Sequence, residues 1–351
     1  MEKIKNLFES NSIDSYLLIS EDNRQYFSGL RTSFGGVILH KNAKYYITDF
    51  RYEYAAKETL TDWELRFVKY SEFYDTVKSI LHSLGAKTVG FEDKTLTYSE
   101  AQDLKQTLSD FELVPCSDIV DTLRMVKTED EIKLIKASQE ITEKALSATI
   151  ERIKPKMSER DVCAEIIYNM YLNGADGLSF EPIVAMGVNT SKPHHSYSDY
   201  RLEKDDFITV DIGCKYKGYC SDMTRTFTLG EPDKKLVEIY NIVKKAQEYA
   251  LASIKAGMTG HEADSFAREY ITANGYGKEF GHGLGHAVGL FIHENPRLGV
   301  GSKTVLKENM VVTVEPGIYV QGLGGVRIED MIVIKNDGNV NLTHFSKDMK
   351  I

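Results

Sequence analysis

One pattern recurs in this chain at a fixed distance: Ile153-Lys154-x-x-Met157-Ser158 returns 101 residues later as Ile254-Lys255-x-x-Met258-Thr259. Each copy falls where one long helical pattern ends and a second begins, and each helix pair is followed by the alternating apolar residues of a β-hairpin. A helix–helix–hairpin unit cannot bury its apolar faces alone. A duplication therefore predicts two similar halves facing each other, with a site at the seam.

The repeat occupies only the later part of the 351 residues, a length that suits two domains. Before it, strand and helix patterns alternate. Residues 16–20 form a short apolar run, and 36–40 with 44–48 flank a Lys-Asn-Ala turn and predict a hairpin. Residues 53–60, 73–84 and 100–111 carry helical periodicity, Ser99 with Gln102 forms a candidate capping box, and 89–91 predicts another strand. A boundary is expected near residues 123–127, after which Thr128-Glu-Asp-Glu131 opens a long helix with a capping-box start. The expected fold class is α+β: an α/β domain over 1–125, then a duplicated domain over 126–351.

Charge and cysteine content narrow the function. A net charge of −9 argues against nucleic acid, whose phosphates require clustered Lys and Arg. The chain has no run of eighteen apolar residues and no apolar stretch of signal-peptide type after Met1, so neither membrane nor secretion is expected. Cys116, Cys163, Cys214 and Cys220 form no CxxC or framework spacing, which fits reduced thiols in a cytoplasmic compartment.

The chemistry resides in the two predicted hairpins. The first joins 207–213 to 219–229 around Lys215-Tyr-Lys-Gly218. A two-residue loop at Tyr216-Lys217 pairs residues whose numbers sum to 433, which sets Asp211 opposite Asp222 with Cβ atoms roughly 5 Å apart. The second joins 311–320 to 326–334 around Gly322-Leu-Gly-Gly325, and a turn centred on Gly322 pairs numbers summing to 644, setting Glu315 opposite Glu329. Two carboxylate pairs within apolar strands call for about four positive charges, which two divalent cations supply. The plain alternative for either pair alone is a surface carboxylate matched by Arg225 or Arg327. Two pairs at matching positions of a repeat argue against it.

An imidazole ligand is expected from Gly281-His-Gly-Leu-Gly-His-Ala-Val-Gly289, where four glycines in nine residues disfavour a helix and permit close backbone approach. His282 and His286 are expected on one face of an extended strand, with His293 after an apolar stretch. Carboxylates with one imidazole suit Mn²⁺, Co²⁺, Zn²⁺ or Fe²⁺ without choosing among them.

At these residues the sequence resembles the pita-bread metallopeptidases, the family of prolidase, aminopeptidase P and, more distantly, methionine aminopeptidase. The matching stretches are Val210-Asp-Ile-Gly213, Ser221-Asp-Met-Thr-Arg-Thr-Phe227, the Gly281–Gly289 run with His293-Glu294, Val314-Glu-Pro-Gly317 and Arg327-Ile-Glu-Asp330. Tyr26-Phe-Ser-Gly29 and Thr48-Asp-Phe-Arg-Tyr52 resemble the creatinase-type N-terminal domain of the proline-specific branch. The resemblance implies a creatinase-like N-terminal domain followed by a pita-bread catalytic domain. It also implies a homodimer in which the N-domain contributes to the partner's site or limits peptide length.

By the same resemblance, five metal ligands fall on Asp211, Asp222, His286, Glu315 and Glu329. Asp222 and Glu329 would bridge two divalent ions (Mn²⁺ first), and Glu315 would also shuttle a proton. Substrate histidines fall on His194, His282 and His293, with His195 as the rival for His194. Arg297 resembles the arginine with which some prolidases hold a dipeptide's free carboxylate. The expected activity is hydrolysis of the bond before proline in an Xaa-Pro dipeptide, with an aminopeptidase acting on longer peptides as the alternative. A metal-free amidinohydrolase or a non-catalytic peptide-binding module on the same fold would not need all five ligands. A dinuclear phosphatase on an unrelated fold would leave the N-domain match unexplained.

Overall fold

The computed structural model describes residues 7–8 and 12–351. The chain separates between Arg124 and Met125 into two compact units.

The first unit is built on a mixed sheet of β1 (Ser15–Leu18), β2 (Gly36–His40), β3 (Ala43–Thr48), β4 (Glu64–Phe67), β5 (Thr88–Phe91) and β6 (Glu112–Pro115), in the order β4-β3-β2-β1-β5-β6. Around it lie α1 (Glu21–Ser28), α2 (Glu53–Thr59), α3 (Phe73–Ser83), α4 (Tyr98–Thr107) and α5 (Ser117–Met125). Successive strand residues enter opposite faces. Leu17 and Ile38 join the cluster formed with Val77 and Leu81 of α3, whereas Tyr16, Leu18, Val37 and Leu39 join Ala56 of α2 and Val120 of α5. The capping box of α4 is Thr97 with Glu100, not Ser99 with Gln102. Thr97 has the extended backbone that an N-cap requires and receives the Glu100 amide at 3.3 Å, while Glu100 accepts the Thr97 amide at 2.8 Å.

In the second unit the duplication is physical. Helices α6 (Glu129–Ile150) and α7 (Glu159–Leu172) precede the first set of strands, and α8 (Lys234–Ser253) and α9 (Gly260–Ala273) precede the second. α7 and α9 are both 14 residues long, begin 101 residues apart and open on capping boxes, Ser158 with Asp161 and Thr259 with Glu262. The turn before each holds a left-handed residue at the equivalent place, Lys156 (φ 76°) and Gly257 (φ 90°). Each turn is stitched to a distant loop in the same way: Lys156 N to Leu202 O and Leu202 N to Met157 O, Gly257 N to Leu306 O and Leu306 N to Met258 O.

The strands are β7 (Gly177–Leu178), β8 (Ile183–Met186), β9 (Phe207–Ile212), β10 (Cys214–Tyr216), β11 (Tyr219–Cys220), β12 (Met223–Thr228), β13 (Gly285–Ala287), β14 (Glu294–Leu298), β15 (Val311–Val314), β16 (Gly317–Val320), β17 (Gly324–Arg327), β18 (Asp330–Lys335) and β19 (Gly338–Asn341). Ile141, Leu146, Val162 and Ile166 of α6 and α7 pack on Val184, Ile208 and Val210. Ile239, Val243, Ala263 and Ala267 of α8 and α9 pack on Val312, Val314 and Ile332.

Both expected hairpins form, and both break midway into two different sheets. The first parts between β9 and β10 and between β11 and β12; the second parts between β15 and β16 and between β17 and β18. The second keeps the expected register: Gly317 faces Arg327 and Val314 faces Asp330. The first does not. Tyr216 pairs with Tyr219 and Asp211 with Thr224, two residues away from the expected alignment. The reversal is made by Lys217 and Gly218, at φ 48° and 84°, since a two-residue hairpin turn with both central residues left-handed prefers glycine in the second place.

Candidate active site

The hairpin breaks bring the acidic residues together. Asp211 lies at the end of β9, Asp222 fills the gap between β11 and β12, and Glu315 and Glu329 stand where the second hairpin changes sheets. Strands of the two halves are tied side by side at this level. Glu329 N donates to Thr224 O at 3.1 Å, and Thr226 Oγ1 donates to Arg327 O at 3.0 Å. The two acidic pairs therefore meet across the seam even though Asp211 and Asp222 are not ladder partners. Asp222 and Glu329 are buried at 4% and 1% exposure.

His286 enters from β13. Its backbone N–H donates to Thr313 Oγ1 at 3.1 Å, and its Nδ1 lies 3.2 Å from Ala287 O. A carbonyl only accepts, so Nδ1 carries the proton and the Nε2 lone pair is left facing Asp222 Oδ2 and Glu315 Oε1, each at 3.5 Å. Burial, then the charge of His293, pushes the imidazole down to about 3, so it stays neutral. A lone pair aimed at carboxylate oxygens is repulsive unless a cation or a carboxyl proton stands between them. Burial, followed by the neighbouring carboxylates, raises Asp222 and Glu329 well above the usual carboxylate range, and burial raises Glu315 to about 8.

Donor atoms of Asp222, His286 and Glu329 all lie within 4.8 Å of one another, while Asp211 Oδ1 is buried without a partner among the described residues. An acid-rich donor set with one imidazole lone pair and an orphaned carboxylate oxygen fits divalent metal. Arginines do not complete it. Arg225 serves Asp330 at 2.8 Å. Arg327 takes one oxygen of Asp211 at 2.7 Å.

All nine residues singled out from the sequence line one cavity of about 850 Å³, with His195, Tyr319 and Arg327 in the same wall. His282 precedes β13 in a loop rather than sharing a strand face with His286, because β13 spans only Gly285–Ala287. Its Nδ1 lies 2.8 Å from Gly283 O and its Nε2 3.0 Å from the Tyr319 hydroxyl, so both ring nitrogens are engaged. Burial lowers the ring to about 4. Tyr319 in turn receives Arg327 Nη1 at 2.8 Å. Asp211, Arg327, Tyr319 and His282 thus form one hydrogen-bonded chain. Of its middle members, Arg327 stood in the sequence as a possible carboxylate partner, whereas Tyr319 had no signal beyond its proximity to the glycine turn.

His194 and His293 differ from His282: among the described residues neither ring has a hydrogen-bond partner, and the His293 ring lies edge-on to His286 at 4.5 Å. His195, in the same wall, has its Nε2 committed to Glu159 at 2.7 Å. Arg297 lies on β14 opposite His286, exposed, and its guanidinium has no ion-pair partner among the described residues.

Comparisons with known proteins agree with this geometry. Residues 133–336 match the model of metallopeptidase family M24, and residues 1–126 match the creatinase/prolidase N-terminal domain. An Xaa-Pro dipeptidase of Pyrococcus horikoshii is 40% identical over 353 residues, covering 99% of this chain and 98% of the relative. The solved structure of an Xaa-Pro dipeptidase from Bacillus anthracis matches at 44% identity with a TM-score of 0.96, covering 100% of this chain and 99% of that one. That of an X-Pro aminopeptidase from Thermotoga maritima matches at 39% identity with a TM-score of 0.92, covering 96% and 97%.

Proposed function

Because the chain belongs to metallopeptidase family M24, we propose that it hydrolyses the bond between an N-terminal residue and proline, with Xaa-Pro dipeptides as its preferred substrates. The observation that carries this reading is the convergence of Asp211, Asp222, His286, Glu315 and Glu329 with three histidines and Arg297 on one cavity. The family is one of dinuclear metal-dependent peptidases, and the donor set fits its ions. In our reading Asp222 and Glu329 would help to hold both ions, Asp211 would complete one, and His286 with Glu315 would complete the other. The ions, Mn²⁺ first and Co²⁺, Zn²⁺ or Fe²⁺ as the other choices, supply an activated water and charge to offset an oxyanion.

The protein's own groups then divide the remaining work. Glu315, whose side chain is 18% exposed against 14% for Asp211 and 6% for Asp222, would receive the proton of the attacking water, a role carried over from the family resemblance. His194 and His293, with free ring nitrogens, hold the scissile carbonyl and the charge that develops on it. His282 can join them only by exchanging its bond to Tyr319. Arg297 holds the free carboxylate of a dipeptide through its planar fork.

The second reading, an aminopeptidase acting on longer peptides with proline second, draws on the likeness to the Thermotoga maritima structure. Comparing turnover of an Xaa-Pro dipeptide with that of an Xaa-Pro-Yaa tripeptide separates the two. Chelation should abolish either activity and Mn²⁺ should restore it. Full turnover by protein shown to be metal-free would exclude the mechanism.

We extend the reading to a homodimer in a reducing, cytoplasmic setting. The large exposures of Phe50, Tyr54 and Tyr70 in the first unit (80%, 82% and 79%) support an association surface. The four buried free cysteines support the compartment. Light scattering tests the first point.

A further inference from the structure

We propose that Glu159 is the positioning residue for His194, with His195 as the strut between them; this rests on the assignment of His194 to the substrate carbonyl. Glu159 is the first residue of α7 and is fully buried. Its two carboxylate oxygens accept five hydrogen bonds. Oε1 takes Met186 N at 2.9 Å and Asn189 Nδ2 at 3.0 Å. Oε2 takes His195 Nε2 at 2.7 Å, Ser198 N at 2.8 Å and Ser198 Oγ at 2.6 Å.

These donors bracket the loop that carries His194: Met186 ends β8 before it, and Ser198 lies beyond it. One buried carboxylate therefore fixes both ends of the loop and the residue next to His194, and the neighbouring histidine is left to face the cavity. Only an ionised carboxylate can accept from five donors. Burial alone would raise the group, but the bonds from Ser198, His195 and Asn189 outweigh it and hold the carboxyl below its usual range.

The duplication shows that the helix itself does not require this group. The equivalent position in the second half is Gly260, the first residue of α9, and that helix starts on its Thr259 cap with no carboxylate there. A Cβ at Gly260 would lie 2.2 Å from Arg297 O, so the second half uses the position for close approach. A buried glutamate that one copy dispenses with serves what the two copies do not share. In the first copy that is the loop bearing His194.

The test is a double-mutant cycle on the metal-loaded full chain, reading kcat for an Xaa-Pro dipeptide together with metal content. Glu159→Gln keeps the shape but replaces one acceptor oxygen with a donor. It should lower kcat about ten- to hundredfold, as a displacement of about 1 Å would, with metal content unchanged. In a His194→Ala background the same change should cost almost nothing, because the group being positioned is gone. Effects that multiply would overturn the proposal, as would a loss of kcat that merely follows loss of folded protein. Should Glu159→Gln fail to fold, the cycle is run with His195→Ala. Its loss should be largely restored by His195→Gln, whose amide N–H can reach the carboxylate, and should vanish without His194. Equal activities of His195→Ala and His195→Gln would overturn the strut. A His194→Ala enzyme as active as its parent would instead remove the assignment of His194 on which the proposal stands.

Discussion

Asp211 carries one hydrogen bond from Arg327 on Oδ2 and none on its buried Oδ1. His286 nearby points a lone pair at acidic oxygens. The described residues leave Asp211 Oδ1 unsatisfied and set His286 among acids, which separates the ligands from His194 and His293, whose rings have no hydrogen-bond partner among the described residues. His293 belongs to the second group. His293→Ala should therefore keep its metal by elemental analysis and lose kcat, the pattern of a group that acts mainly in the transition state. A large loss of metal would make it a ligand instead. Glu329→Ala should do the opposite and lose metal and turnover together, because Glu329 would be shared by both ions; normal metal content would end that assignment. Arg297 tests the substrate. Its removal should weaken Xaa-Pro turnover by about 1.5–3 kcal/mol of charge-assisted hydrogen bonding, and Xaa-Pro-Yaa much less. Arg297→Lys should recover only part of the loss, lacking the planar fork. Equal effects on both peptides would move the aminopeptidase ahead.

At the scale of elements, the site exists because two hairpins change sheets at equivalent places and turn their carboxylates into one seam. The periodicity of the sequence reveals the helices and the duplication, because apolar spacing and the Ser158 and Thr259 caps are local properties. The register of the second hairpin was legible from its glycine turn. That of the first was not, because Lys217 adopts a left-handed conformation that nothing in a lysine announces, and this shifts Asp211 from Asp222 to Thr224. The pairing of carboxylates was thus anticipated for one hairpin on correct geometry and for the other on a wrong alignment that the strand break makes harmless. Arg327 was legible only as a possible partner for a carboxylate and Tyr319 not at all, because the bonds from Arg327 to Asp211 and between Tyr319 and His282 join separate segments, which no spacing encodes. The caps yield a prediction of their own. Thr259→Ala should cost about 0.5–2 kcal/mol in denaturant unfolding and leave kcat unchanged, since the Thr259 side chain bonds only Glu262 among the described residues, whereas the carboxylate of that helix that holds the His282 loop is Asp264, beyond the cap. A drop in kcat at unchanged stability would contradict the division of labour between the two copies.

For the whole molecule, the same acidic cluster that would bind metal strains the protein without it. Asp222, Glu315 and Glu329 all have raised carboxyls, Glu315 to about 8 from its ordinary 4.5. A raised carboxyl makes the folded state bind more protons than the unfolded chain, so its stabilisation is complete at low pH and disappears as pH rises through the folded value. The buried histidines act in the opposite sense. His282 and His286 are lowered from 6.5 to about 4 and about 3, so they contribute stability above 6.5 that is lost as pH falls. Between the two lies a window where the carboxylates dominate the titration. From about pH 6.5 to about pH 8 the Tm of chelated protein should therefore fall as pH rises. Metal should reverse the trend, because its ligands must be deprotonated to bind, and affinity grows as protons leave. A hundredfold excess over Kd would add about 2.7 kcal/mol to the stability of the folded state. Differential scanning calorimetry with and without Mn²⁺ across that window measures both slopes. Parallel slopes would mean that the carboxylates share no ion, and a flat slope in the chelated protein would mean that they are not raised in the folded state.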